Sequence, residues 1–352
     1  MGAMLIEPGW YRGEFVRPLY EGRTFFVLTA MHLPEIDDIH KWKDATILEN
    51  LEKKNAQAGA LAAIGACVLW GVLPIYWKLL SEATAYEIFT HRICWSFVFM
   101  MFVIGMSGRL SFAWRETKAV LSDRRRSLYL MGASLLISFN WLTYIWSVNH
   151  EHILEASMGY YINPLMNVGM GMLLFHEKLL PAKKFSLLLA AIGIVHMTVN
   201  FGAVPWISLV LAVTFSGYGV FKKLAHIDPA TSVALETLFV MPPAICYLCY
   251  LAGTGTAHFA VDGELTLLFI GAGAVTATPM VLFTKGANLL PLNVLGFLQY
   301  IQPTINFLVG VFVFHEAFGF TRLCSFAFIW LALIVFSLSE RFSVHRSSVN
   351  EL

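Results

Sequence analysis

The sequence predicts an all-α membrane protein of ten transmembrane helices arranged as two inverted five-helix repeats, and three observations lead there. The 352 residues are 57% hydrophobic and 13% charged, too little polar surface to cover a water-soluble domain of this size. Apolar stretches of about 20 residues, the length that crosses a bilayer core as helix, recur from about residue 58 onward. A segment of the first half also returns, 139 residues later, in the second.

The spans are placed at roughly 58 to 80, 85 to 107, 128 to 148, 153 to 175, 183 to 201, 204 to 223, 232 to 252, 265 to 287, 291 to 314 and 319 to 340. The residues before them differ in kind. Residues 1–57 scatter prolines and charges and carry no signal peptide, since the apolar run from Phe25 to Met31 is too short for a signal core and lacks a small-residue cleavage site. They are expected to form a disordered or weakly helical cytoplasmic extension, and residues 341–352 a cytoplasmic tail. Between them lie two five-span units, 58–202 and 203–340.

Lysine and arginine set the orientation. Six fall between the second and third spans (Arg109, Arg115, Lys118, Arg124, Arg125, Arg126) and three after the fourth (Lys178, Lys183, Lys184). Lys222 and Lys223 follow the sixth span, Lys285 the eighth, and Arg341 and Arg346 the tenth, whereas the alternate connections hold Lys78 and Arg322. The positive-inside bias therefore puts both termini in the cytoplasm, as an even span number requires independently. A net charge of +1 leaves no electrostatic footprint for nucleic acid.

Residues 161–177, YINPLMNVGMGMLLFHE, match residues 300–316, YIQPTINFLVGVFVFHE, at eight of 17 positions without a gap. The same offset pairs Gly132 with Gly271 and Asn149 with Asn288, and a shorter connection lets Glu87 pair with Glu236. Five spans is an odd number, so the second copy must start from the opposite face of the membrane. Inverted repeats of this kind suit alternating access, because each half can adopt the other's conformation around one central site.

The site is expected at midplane. Pro164 and Pro303 lie near the middle of the fourth and ninth spans and deprive the Tyr160 and Gln299 carbonyls of their helical partners, which predicts a helix break in each half. Asn163 and Asn167 recur at helical spacing beside Pro164, with Gln302 and Asn306 at the equivalent places. Amides in hydrocarbon need partners, so they face either another helix or an aqueous cavity. With Tyr144, Tyr161 and Tyr300 they form the predicted solute site, the amides bonding a polar part of the solute and the tyrosines packing on its apolar part.

Charges inside spans are the coupling or gating candidates: Glu87, His91 and Arg92 in the second span, Glu155 in the fourth and Glu236 in the seventh. Glu87 and His91 share a helix face, and Arg92 either snorkels to the headgroups or acts as an anion-binding or gating residue paired with Glu87 or Glu155. Glu87 or Glu236 is the expected carrier of a coupling proton. His176-Glu177 and His315-Glu316 end the two copies and read as helix-end hydrogen-bonding groups.

Several chemistries are absent. No GxxxxGK[ST] loop supplies a nucleotide site, and none of the six aspartates lies in a span core to hold a metal–phosphate centre. Cys67, Cys94, Cys246, Cys249 and Cys324 sit in apolar stretches and read as small buried hydrophobes; no metal site or cofactor is expected.

Five segments, LWGVLPIYWKLL, EIFTHRICWS, SFNWLTYIWSVNH, ASMGYYINPL and FHEKL, resemble RarD-type proteins of the EamA family, in the drug/metabolite transporter superfamily. The resemblance covers residues 58 to 340, is specific in the first half and looser in the second, and has no counterpart for residues 1–57. It implies a ten-helix inner-membrane permease with paired EamA repeats that exports small metabolites or drugs. The expected function is thus a secondary transporter, driven by an ion gradient or by the solute itself. Its partners are the bilayer, a small solute and candidate protons, and a homodimer is compatible with it. The alternative is a membrane-embedded enzyme acting on a lipid-soluble substrate.

Overall fold

A computed structural model describes residues 45–150, 152–201, 206–315, 324 and 327–339. The chain divides at Lys54 into an N-terminal unit and a unit from Asn55 onward, which carries the fold. Among the described residues the secondary structure is helical, in chain order α1 (Ala45–Leu79), α2 (Ala85–Met106), α3 (Leu110–Ser122), α4 (Arg124–Asn149), α5 (Ile153–Leu174), α6 (Pro181–Phe201), α7 (Trp206–Ala225), α8 (Pro229–Thr254), α9 (Gly263–Leu289), α10 (Leu292–Gln299), α11 (Ile301–Phe312) and α12 (Ala327–Ser339). Among the described residues eight segments are long and apolar enough to cross a membrane: those within α1, α2, α4, α6, α7, α8 and α9, and the α10–α11 stretch Leu292–Phe312.

Local chemistry sets the helix ends. Thr84 caps α2 by accepting the Glu87 N–H at 3.3 Å, and Asp228 caps α8 by accepting the Thr231 N–H at 3.3 Å, just ahead of a first-turn Pro229. α8 ends on Gly255, whose φ of 68° suits a residue without Cβ. The connection between the second and third predicted spans holds the helix α3. Val120 of α3 is buried while Trp114 and Leu121 are exposed, the pattern of a helix lying along an interface.

α7 packs on α4 and α5, α2 on α8 and α9, and α10 on α5. Small residues permit these approaches. A Cβ on Gly273 of α9 would lie 2.3 Å from the Trp95 backbone of α2, and there the Ser96 hydroxyl donates to the Gly273 carbonyl at 3.1 Å. A Cβ on Gly132 of α4 would meet the Phe221 ring of α7 at 2.9 Å, and one on Gly271 of α9 the Tyr76 hydroxyl of α1 at 2.6 Å.

The two ends of the bundle are tied differently. Where α1 turns into α2, Leu80 and Ala83 pack with Leu265 and Phe269 of α9. At the opposite end Arg109 pairs with Asp228 at 2.8 Å, and Arg126 donates to the carbonyls of Ala225 and His226. Asn288 there donates to the Ile227 carbonyl at 2.9 Å. Between the ends, Trp70, Phe215, Tyr218 and Phe283 form an aromatic cluster joining α1, α7 and α9.

Candidate functional site

α5 threads three polar levels of the bundle. At mid-length, Asn163 and Asn167 lie one turn apart and both direct Nδ2 at the Gln299 Oε1 of α10, Asn163 at 3.5 Å and Asn167 in closer contact. Ser216 of α7 donates to Asn163 Oδ1 at 2.9 Å and to its carbonyl at 3.3 Å. The helices come this close because α10 presents Gly296, where a Cβ would sit 2.7 Å from the Pro164 carbonyl. Asn167 Oδ1 and Gln299 Nε2 remain without a partner though sealed from solvent. Buried and unsatisfied, such groups cost about 1–3 kcal/mol each, and together they offer one acceptor and one donor at the same place.

Toward the α1–α2 end, Arg92 of α2 lies between two indoles, its guanidinium 4.5 Å from the Trp77 ring of α1 and 4.9 Å from the Trp141 ring of α4. Its Nε donates to Thr276 Oγ1 of α9 at 3.1 Å. Tyr160 of α5 and Tyr144 of α4, whose rings are 6.0 Å apart, share the guanidinium's surroundings. Among the described residues Arg92 has no carboxylate partner.

Two buried carboxylates sit at opposite ends. Glu87 accepts the His258 backbone N–H at 2.7 Å and contacts its ring Nδ1 at 2.8 Å, which ties α2 to the α8–α9 connection. Glu236 of α8 accepts from Lys222 of α7, from Ser232 at 2.8 Å and from the Tyr218 hydroxyl at 3.1 Å. A third carboxylate, Glu177, lies just past α5 and accepts the N–H groups of Leu292 at 2.7 Å and Asn293 at 2.8 Å. It thereby caps the start of α10 rather than its own helix, placing negative charge where that helix's N–H groups are unpaired.

Residues 57–199 match the EamA-like transporter family. An uncharacterized transporter of Vibrio cholerae is 43% identical over 82% of this chain and 94% of its own. Protein RarD of Escherichia coli is 37% identical over 85% of this chain and 100% of its own. The chain belongs to the EamA family, in its RarD-type branch. A crystal structure 18% identical in sequence shares the fold, with a TM-score of 0.62 over 80% of this chain and 98% of that one. The EamA protein is therefore a multi-pass membrane transporter.

Within it, the predicted site residues separate into groups. Asn163 and Asn167 come together, but around Gln299, which the sequence reading named only for its carbonyl; its amide partners lie 136 and 132 residues away, beyond any local signal. Gln302 and Asn306 lie beyond the turn on α11, with Asn306 Oδ1 buried and unpartnered. Tyr144 stands near Arg92. Tyr161 and Tyr300 do not join the amides: Tyr300 is buried among Val168, Leu189, Phe297 and Phe336, and Tyr161 packs on the same cluster and on Ile194. Both thus fill the seam that α5 and α10 form with α6 and α12.

Pro164 and Pro303 behave differently from each other. The second copy breaks at Tyr300, between α10 and α11, as expected near Pro303. The first copy does not break: α5 runs unbroken through Pro164, where Ser216 bonds the adjacent Asn163 carbonyl and α10 approaches closely at Gly296. Of the charged candidates, Glu87 pairs with His258 rather than with His91 or Arg92, and His91 stacks between Phe259 at 4.7 Å and Phe269 at 4.4 Å. Arg92 turns inward to the indoles and does not snorkel. The side chain of Glu155 lies outside the described residues, as does Glu316. Glu236 is buried as a charged candidate should be, with Lys222, read from sequence as an orienting charge, as its counter-ion.

Proposed function

We propose that this EamA protein is a secondary transporter of ten spans, built as two inverted repeats over 58–202 and 203–340, that exports small metabolites or drugs across the cell inner membrane by alternating access. Both termini are cytoplasmic in this reading. The observation that carries it is the correspondence between sequence repeat and packing. His176 and His315, which end the repeated segment, both hold the left-handed conformation, with φ of 50° and 54°. Gly132 and Gly271, paired by the same offset, each make room for an aromatic side chain from the first helix of the other half, Phe221 and Tyr76. The α2–α8 and α5–α10 contacts join counterpart helices, as a pseudo-two-fold axis requires.

The solute site is the amide level of Asn163, Asn167 and Gln299, with Asn306 and Gln302 entering from the second copy as the halves rock. Glu87 with His258 closes the external end and Glu236 with Lys222 the cytoplasmic end, counterpart carboxylates acting as opposed latches. Either carboxylate, on taking up a proton, loses the charge that holds its latch, which would couple transport to protons. Counterflow tests the reading: proteoliposomes loaded with an unlabelled mixture of small metabolites and drugs should accumulate a labelled member transiently, without ATP. No accumulation of any member, with folded protein present, would overturn it.

A further inference from the structure

We infer that the solute carries an anionic group, a carboxylate attached to an aromatic or apolar body, and that Arg92 binds it in the external half of the site. This rests on the transporter reading above and names its substrate class. Arg92 lies about seven residues into α2, roughly 10 Å from the helix start at 1.5 Å per residue. A cation at that depth needs compensation. Lys222, a buried cation elsewhere in the bundle, has it from Glu236. Among the described residues Arg92 has ring faces and one hydroxyl. Trp77 and Trp141 hold the guanidinium plane from different helices, and Thr276 fixes its Nε, so the fork is positioned by α1, α4 and α9 together.

The terminal nitrogens of that fork carry no hydrogen bond among the described residues, and the Arg92 side chain is half-buried. A guanidinium held by its Nε with both terminal nitrogens free matches the two oxygens of a carboxylate. The indoles and the Tyr144 and Tyr160 rings around it supply apolar walls for the remainder of the solute. α5 then leads one turn further, from Tyr160 to Asn163, so a solute anchored on Arg92 can extend toward the amides. Glu87, the nearby carboxylate in sequence, is held by His258 and does not compete.

The test uses the full chain in phosphatidylcholine proteoliposomes and compares exchange of labelled phenylacetate with that of the uncharged phenylacetamide. Phenylacetate should exchange saturably with a KM at least tenfold below that of phenylacetamide. Arg92→Gln should raise the phenylacetate KM at least tenfold and leave phenylacetamide unchanged. Where Arg92→Gln fails to fold, Arg92→Lys, which keeps the charge but loses the fork, and Thr276→Val, which frees the Nε, should each raise it at least threefold. Equal exchange of acid and amide, or a phenylacetate KM within twofold of wild type in both of those variants, overturns the inference and leaves the transporter reading standing. Exchange of neither probe while another neutral solute is exchanged does the same, and exchange of no solute at all overturns both. Loss of phenylacetate exchange on adding phosphatidylglycerol would assign the anion to a lipid headgroup and also overturn the inference.

Discussion

Lys222→Met is the perturbation whose consequence follows most directly from the packing. Lys222 and Glu236 are 1% and 2% exposed, and the carboxylate keeps only Ser232 and Tyr218 as neutral donors when the ammonium is removed. Breaking one side of a buried ion pair leaves an uncompensated charge and costs about 3–5 kcal/mol. Replacing both partners, Lys222→Met with Glu236→Met, removes the charge problem and leaves chiefly the Tyr218 hydroxyl without its acceptor, a cost of about 1–3 kcal/mol. The double variant should therefore be more stable than the Lys222→Met single. Thermal unfolding of purified protein, followed by tryptophan fluorescence, reads this: the single variant should melt at least about 5 °C below wild type and the double variant should recover much of that loss. Transport should not recover with stability, because the double variant folds but still lacks the proposed Lys222–Glu236 latch and should lose net export. A single variant that melts like wild type, or a double variant that melts below the single, would refute the reasoning.

Asn167→Leu should weaken solute affinity by about 1–3 kcal/mol, five- to 150-fold, through the loss of Oδ1 as an acceptor, with little change in melting; unaltered affinity in binding assays on this variant and on Asn306→Leu would remove the amide level from the site. Glu177→Ala uncaps α10 and should cost about 1–3 kcal/mol in stability without altering affinity, as melting and binding on one preparation would reveal. Gly271→Ala drives a methyl group into the Tyr76 hydroxyl and should cost about 1–3 kcal/mol; in a Tyr76→Phe background that penalty should shrink, and a double-mutant cycle with no coupling would contradict the contact.

What the sequence revealed followed from what is local in it. Apolar runs and the 139-residue offset are read along one stretch of chain, and among the described residues eight long apolar helices answer to the apolar runs. α3 escaped because its 13 residues are amphipathic rather than apolar, and length alone does not register such a helix. The partners of the charged residues escaped for a different reason. His258 is 171 residues from Glu87, and Thr276 is 184 from Arg92, so only the fold brings them together. Helical spacing put Glu87 and His91 on one face correctly, but a shared face does not decide what each side chain turns to. Tyr161 and Tyr300, equivalent in the repeat, both pack in the seam between helices, a placement that nearness to amides along the chain does not reveal.

Accessibility of a cysteine at position 167 tests alternating access most directly. In a variant lacking the five native cysteines, Asn167→Cys would be exposed to a membrane-impermeant thiol reagent in right-side-out and in inverted vesicles. The account predicts modification from both faces, slowed in each case by a transported solute, because one site opens to the two sides in turn. Modification from one face alone, or from neither, would contradict it.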